Sequence, residues 1–156
     1  MASTMKFHRQ SAFTLIELMV TLTILIILLM VALPSFNASM ASSELRSAQE
    51  NLVSAFRYAK TTSRTTGLRV TLTTDASTNI ISFSLPNGNN ILPDNTKMNP
   101  ISLPEKIILT TINNSYTFNP NGIINNQSAI TIASERVATL NTSIQIVDAL
   151  GHLTAN

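Results

Sequence analysis

Ser11-Ala12-Phe13-Thr14-Leu15-Ile16-Glu17 decides how this chain is read, because it runs without a break into the apolar stretch Leu18–Leu33. Glu17 is the only charged residue from Phe13 to Leu33, and no other follows before Glu44. Taken as a helix, residues 13–33 span roughly 31 Å at about 1.5 Å per residue, enough to cross a bilayer. A carboxylate near the start of such a helix is costly and calls for protonation or a partner. Lys6 and Arg9 precede the run and no basic residue follows until Arg46, which predicts a cytoplasmic N-terminus and an exported C-terminal part. The alternative is a cleaved secretory signal, but the apolar core of such signals is usually about 7–15 residues long. The longer run here, with Glu17 inside its start, favours a retained membrane anchor.

The rest of the composition narrows the function classes. The 156 residues hold one domain and an appendage, and with no cysteine there is neither a disulfide framework nor a thiolate metal site. The net charge of +2 belongs to Lys6 and Arg9, since the remaining basic and acidic residues balance. That balance argues against a protein held to nucleic acid by a global positive field. Histidine occurs only as His8 and His152, and no acid pair, metal-ligand spacing, phosphate loop or nucleophilic triad emerges. Neither an enzyme nor a cofactor or metal is expected.

Beyond the apolar run, Pro34 lacks an N–H and predicts a kink or local melting of the helix. Helical periodicity then resumes. Leu45, Ala48, Leu52, Ala55, Phe56 and Ala59 share an arc of roughly 100°, a face suited to packing on a sheet. Gly67 predicts the helix C-cap. After it the pattern turns to β: residues 68–72 and 80–85 flank a polar 75–79 turn as a hairpin, with further strands expected at 106–111, 116–118, 129–133 and 143–147. A loop-rich crossing carries Pro86, Pro93, Pro100 and Pro104. The expected fold is α+β, a long N-terminal transmembrane helix packed on a C-terminal antiparallel sheet.

Ala12-Phe13-Thr14-Leu15-Ile16-Glu17-Leu18 resembles the class III signal of type IV pilins and type II secretion pseudopilins. The resemblance implies cleavage by prepilin peptidase between Ala12 and Phe13, where the family prefers Gly before the cut, and N-methylation of Phe13. It divides the chain into a leader at 1–12 (Met5 being a second candidate start), a transmembrane assembly half at 13–33, an amphipathic half at 34–66 and a head at 67–156. In a filament the ammonium of a neighbour's Phe13 would then pair with Glu17, and Pro34 would stand where the family's stem loosens. Tyr116-Thr117-Phe118-Asn119-Pro120-Asn121-Gly122 is similar to the F-x-P-x-G turn of the GspH/FimT family of minor pilins and minor pseudopilins. Phe118 is expected in the core, with Pro120 and Gly122 fixing the turn.

Arg46, Arg57, Lys60 and Arg64 cluster within roughly 60° beside the apolar helix face. They read as a solvated flank, a contact for another subunit or a DNA contact. Some family members bind DNA through a C-terminal Gly-Arg-x-Arg segment; Gly151-His152-Leu153-Thr154 stands there in this chain and lacks both arginines. The resemblance implies a structural minor pilin of a type IV pilus, anchored in the bacterial inner membrane with a periplasmic head. Its partners would be prepilin peptidase and other pilins or pseudopilins in a filament or its initiating or tip complex. The alternatives are a minor pseudopilin of type II secretion and a DNA-binding pilin of natural transformation. A secreted binding domain is a weaker third.

Overall fold

The computed structural model describes residues 13–146 and 153–155. The leader with Ala12, and the segment containing Gly151 and His152, lie outside them. The chain divides into two units between Phe36 and Asn37.

One helix, α1 (Leu15–Thr66), contributes to both units. Of the kink or local melting expected at Pro34, the melting is corrected: helical structure continues through the proline. Proline forfeits one N–H bond and crowds the carbonyl four residues back, but the flanking turns keep their own bonds, and long apolar helices tolerate such a gap. Gly67 ends the helix in the left-handed region at φ +67, the cap that its lack of a Cβ permits.

In residues 37–156 all six apolar-face residues named above are buried, and Ala41 extends that face by one turn. Phe56 is 2% exposed and meets Tyr116 and Phe118 edge-on, with ring centroids 5.1 and 5.8 Å away. Such edge-to-face contacts add about 0.5–1.5 kcal/mol to area burial.

Among the described residues the head contains two four-stranded antiparallel sheets rather than one. The first runs β3 (Ile101–Ser102), β2 (Ile80–Ser84), β1 (Val70–Asp75), β5 (Ser115–Phe118). The second runs β4 (Ile107–Thr111), β6 (Ile130–Ser134), β7 (Asn141–Ile146), β8 (Leu153–Ala155). Alternation along the strands puts Val70, Leu72, Ile81, Phe83, Tyr116 and Phe118 of the first sheet into the core with Ile107, Leu109, Ile130, Ile132, Ile144 and Ile146 of the second.

The β1–β2 hairpin pairs Asp75 with Ile80 at its mouth. Within its turn the Asp75 carboxylate accepts bonds from Ser77 Oγ at 2.6 Å and Ser77 N–H at 2.9 Å. The hairpin also ties the sheets together. Asn79, left-handed at φ 54, donates from Nδ2 to the Ile107 carbonyl at 2.8 Å, while its own carbonyl accepts the Leu103 N–H at 2.8 Å. At the other end of β4 the Tyr116 hydroxyl bonds Thr111 Oγ1 at 3.0 Å and donates to the Ser128 carbonyl at 3.3 Å. Burial pushes the Tyr116 hydroxyl pKa up, and the Thr111 bond offsets part of that. The β6–β7 connection is held to α1 by Arg136, whose Nε lies 3.0 and 3.1 Å from the two Glu44 carboxylate oxygens.

Two expectations follow. Phe56→Ala should destabilise the head by about 3–5 kcal/mol, the range for emptying an aromatic core site, read as a lower unfolding midpoint in urea. The bonds from the Ser77 hydroxyl and N–H, then from Thr78, hold the Asp75 pKa down at about 2. A lowered folded-state pKa contributes stability above the unfolded value near 3.9 that disappears as pH falls through about 2. Asp75→Asn should therefore flatten the acid limb of the stability profile over that window, measured by urea melts at stepped pH.

Candidate assembly and processing site

The N-terminal end of α1 is built by a local cap. Thr14 precedes the helix, its carbonyl accepts the N–H groups of Glu17 and Leu18 at 3.1 and 3.2 Å, and its Oγ1 receives the Glu17 N–H at 3.3 Å. Thr14 is thus the N-cap and Glu17 the third helical residue, the Thr-x-x-Glu spacing of a capping box. At that position a carboxylate faces the positive end of the helix dipole and the unpaired amides of the first turn. Phe13 stands just before the cap with its side chain 78% exposed.

The spacing Thr14-x-x-Glu17 was enough to find this cap. It is easily overlooked, because a charge in an apolar run draws attention to membrane cost rather than helix initiation. From Leu15 to Leu33 every large apolar side chain is exposed, including Leu15, Ile24, Leu28 and Leu33. The helix is long and apolar enough to cross a membrane. Within it, Thr21 and Thr23 return their hydroxyls to the Leu18 and Met19 carbonyls, so the few polar groups are satisfied inside the helix.

The four basic residues on the head half of α1 have different surroundings. Arg46 pairs with Glu50 at 3.2 Å, an exposed i,i+4 contact of little energetic weight. Arg57 lies with Arg46, Gln49, Glu50, Val53 and Ser54 along an open groove of about 480 Å³. Arg64 lies over the Phe118–Gly122 turn: a methyl group built on Gly122 would stand 3.1 Å from its Cδ. Lys60 shares the helix flank and makes contacts of its own. The stripe is therefore not a uniform row of free cations. Among the described residues no group of three or more His, Cys, Asp or Glu could hold a metal ion.

The turn itself has the expected form. Phe118 is fully buried, Gly122 sits at φ +81, and the Gly122 N–H donates to the Asn119 carbonyl at 2.8 Å. The Ile123 N–H donates to Asn121 Oδ1 at 3.0 Å, and Asn119 Nδ2 to Asn125 Oδ1 at 2.7 Å.

Comparison with known proteins places both halves. Residues 7–33 match the prokaryotic N-terminal methylation motif, and residues 48–147 match the family described as type II transport protein GspH. No curated protein sequence matches significantly. Among solved structures, the type IV minor pilin FimU of Pseudomonas aeruginosa shares 15% identity, with 74% of this chain and 90% of that one covered and a TM-score of 0.59. The minor pseudopilin EpsH of the Vibrio cholerae type 2 secretion system shares 15% identity, with 73% and 93% covered and a TM-score of 0.51. At these identities the likeness is one of fold. The family match covers most of the chain and joins a methylation motif to the capped apolar helix: the protein is a member of the GspH family, the minor pilins and pseudopilins.

Proposed function

We propose that this protein is a structural minor pilin of a type IV pilus, cut by prepilin peptidase between Ala12 and Phe13 and N-methylated on Phe13. The observation that carries this reading is the apolar helix itself. It begins two residues after Phe13, carries the methylation motif, and leaves every large apolar side chain from Leu15 to Leu33 exposed. Such a surface needs lipid before assembly and neighbouring helices after it. The N-terminus stays on the cytoplasmic side of the inner membrane and the head is periplasmic, as the placement of Lys6 and Arg9 suggests. The subunit then joins other pilins through this helix, in the filament or its initiating or tip complex, with Pro34 as the point where the stem loosens.

Leu15-Ile16-Glu17-Leu18 and Pro34-Ser35-Phe36 support a pilus over a secretion machine. The second reading is a minor pseudopilin of type II secretion, supported by the matched family's description and by the fold shared with EpsH. Loss of piliation on deleting the gene fits the first reading; loss of protein secretion with pili intact fits the second. A role in DNA uptake has weaker support. Arg46 is engaged with Glu50 and Arg64 lies over a turn, which leaves a subunit contact along the Arg46–Arg57 groove as the better use of the stripe.

Mass spectrometry of the mature protein should find N-methyl-Phe13 as its first residue; a start beyond Ala38 would overturn the pilin reading. Glu17 has two candidate functions, which Glu17→Gln separates. Glutamine keeps a side chain that can cap but removes the charge. If pairing with a neighbour's Phe13 ammonium drives assembly, Glu17→Gln and Glu17→Ala should both lose filament incorporation. Wild-type incorporation of Glu17→Gln would assign Glu17 to helix capping. On DNA, Arg57→Ala/Lys60→Ala/Arg64→Ala should leave gel mobility at low salt as it is in the parent chain; a binding shift lost in that variant would restore the competence reading.

A further inference from the structure

The GspH-type turn occurs twice. Leu85-Pro86-Asn87-Gly88-Asn89 follows β2 as Asn119-Pro120-Asn121-Gly122-Ile123 follows β5. Both glycines sit at φ +81. In both, the glycine N–H donates to the carbonyl three residues back, at 2.9 Å to Leu85 and 2.8 Å to Asn119. In both, the first residue's N–H donates to the carbonyl of the fifth, at 2.7 Å to Asn89 and 2.9 Å to Ile123. Both asparagine Oδ1 atoms accept the N–H two residues on, at 3.0 Å. Strands β2 and β5 flank β1, with Ser84 opposite Thr71 and Phe118 opposite Val70, so the two turns lie on either side of the start of β1.

Asn-Gly is the dipeptide in which the backbone most easily attacks a side-chain amide, because glycine offers no steric barrier at the attacking nitrogen. The two sites are alike in sequence and hydrogen bonding and differ in cover. Gly122 is buried under Arg64, whose Cδ, Cγ and Nε lie 3.1, 3.6 and 3.7 Å from where its Cβ would be. Gly88 is exposed and has nothing within 4 Å of that position. Asn119 further braces the second turn through its bond to Asn125. Solvent lies beside Gly88, whereas the arginine side chain covers the corresponding side of Gly122.

We propose that Asn87 is a spontaneous deamidation site of the folded head, and that Arg64 withholds the same reaction from Asn121. Hydroxide removes the Gly88 N–H proton, and the nitrogen attacks Asn87 Cγ. The new C–N bond closes a succinimide as the Cγ–Nδ2 bond breaks, and ammonia leaves carrying a proton from water. A further water opens the ring at either carbonyl to give aspartate or isoaspartate. No oxidant or cofactor takes part. The isoaspartate product lengthens the backbone by one methylene, breaks the Gly88–Leu85 bond and adds a negative charge to an uncharged loop tip. It marks the age of an exported head irreversibly.

The test is peptide mapping by mass spectrometry of the full chain, in detergent, held at mildly alkaline pH. Acid and isoaspartate should accumulate at Asn87 on the order of tenfold faster than at Asn121, the scale set by a modest difference in local opening. In urea-unfolded chain the ratio should fall near one, because both sites read Pro-Asn-Gly. Arg64→Ala should raise the rate at Asn121 toward that at Asn87 and leave Asn87 unchanged. Arg64→Met, which keeps the covering carbons without the charge, should preserve the parent ratio. Equal rates in the folded parent would overturn the proposal, as would a ratio that persists in urea. If Arg64→Ala unfolds the head, seen as both sites accelerating together, the methionine variant decides: loss of its ratio with a parent-like melting temperature overturns the shielding role.

Discussion

The head rests on how closely one face of α1 can approach the strands. Ala48, Ala55 and Ala59 are completely buried on that face, and their short side chains bring the helix backbone near the core. Leu45, Leu52 and Phe56 fill the space between those alanines, each worth about 1.5–3 kcal/mol on full burial. The order of small and large is what fits. A bulky residue at Ala55 would push Phe56 away from Tyr116 and Phe118, and overpacking of this kind usually costs about 1–3 kcal/mol. Because Tyr116 also bonds across to β4, the same contact that seats the helix helps register one sheet against the other.

The helix face and the strand positions were readable because each rests on a short-range rule. A period of 3.6 picked out the six helix residues, and Gly67 ended the pattern where only a left-handed residue fits. Alternation and turn chemistry located the 75–79 hairpin and the strands that became β4 to β7. Strand β3 has two residues and β8 three, too short for any period to register. The division into two sheets was not readable either, since alternation looks the same whichever sheet a strand joins. It is decided by long-range contacts such as Asn79 to Ile107, twenty-eight residues apart, which no local pattern encodes. The basic stripe shows the same limit: its angular grouping was legible, but not Arg64's place over a turn more than fifty residues downstream.

The two parts of α1 obey different solvents. From Ala41 to Ala59 the helix has one buried face and one polar face, so its surroundings are supplied within the chain. From Leu15 to Leu33 the large apolar side chains are exposed on every face of the helix. Backbone hydrogen bonds close internally along both, apart from the one that Pro34 forfeits. A helix apolar on every side has weak axial register, since sliding past a like neighbour changes little contact area.

Thr14 and Glu17 stand at the start of that helix, and the cap narrows what Glu17 can be doing. A carboxylate at the third helical position is already favoured by the helix dipole and by the free amides of the first turn. Its presence in an apolar segment therefore does not by itself demand a charge on another subunit. A processed Phe13 ammonium would stand four residues from Glu17 in the same chain, and would compete with a neighbour's ammonium for the same carboxylate. Pairing between chains prevails only if stacking brings the neighbour's amine to better geometry than the helix's own start offers. The bonds that form the cap run from the Glu17 N–H to the Thr14 carbonyl and hydroxyl, so they belong to the backbone of Glu17 and do not depend on what its carboxylate pairs with.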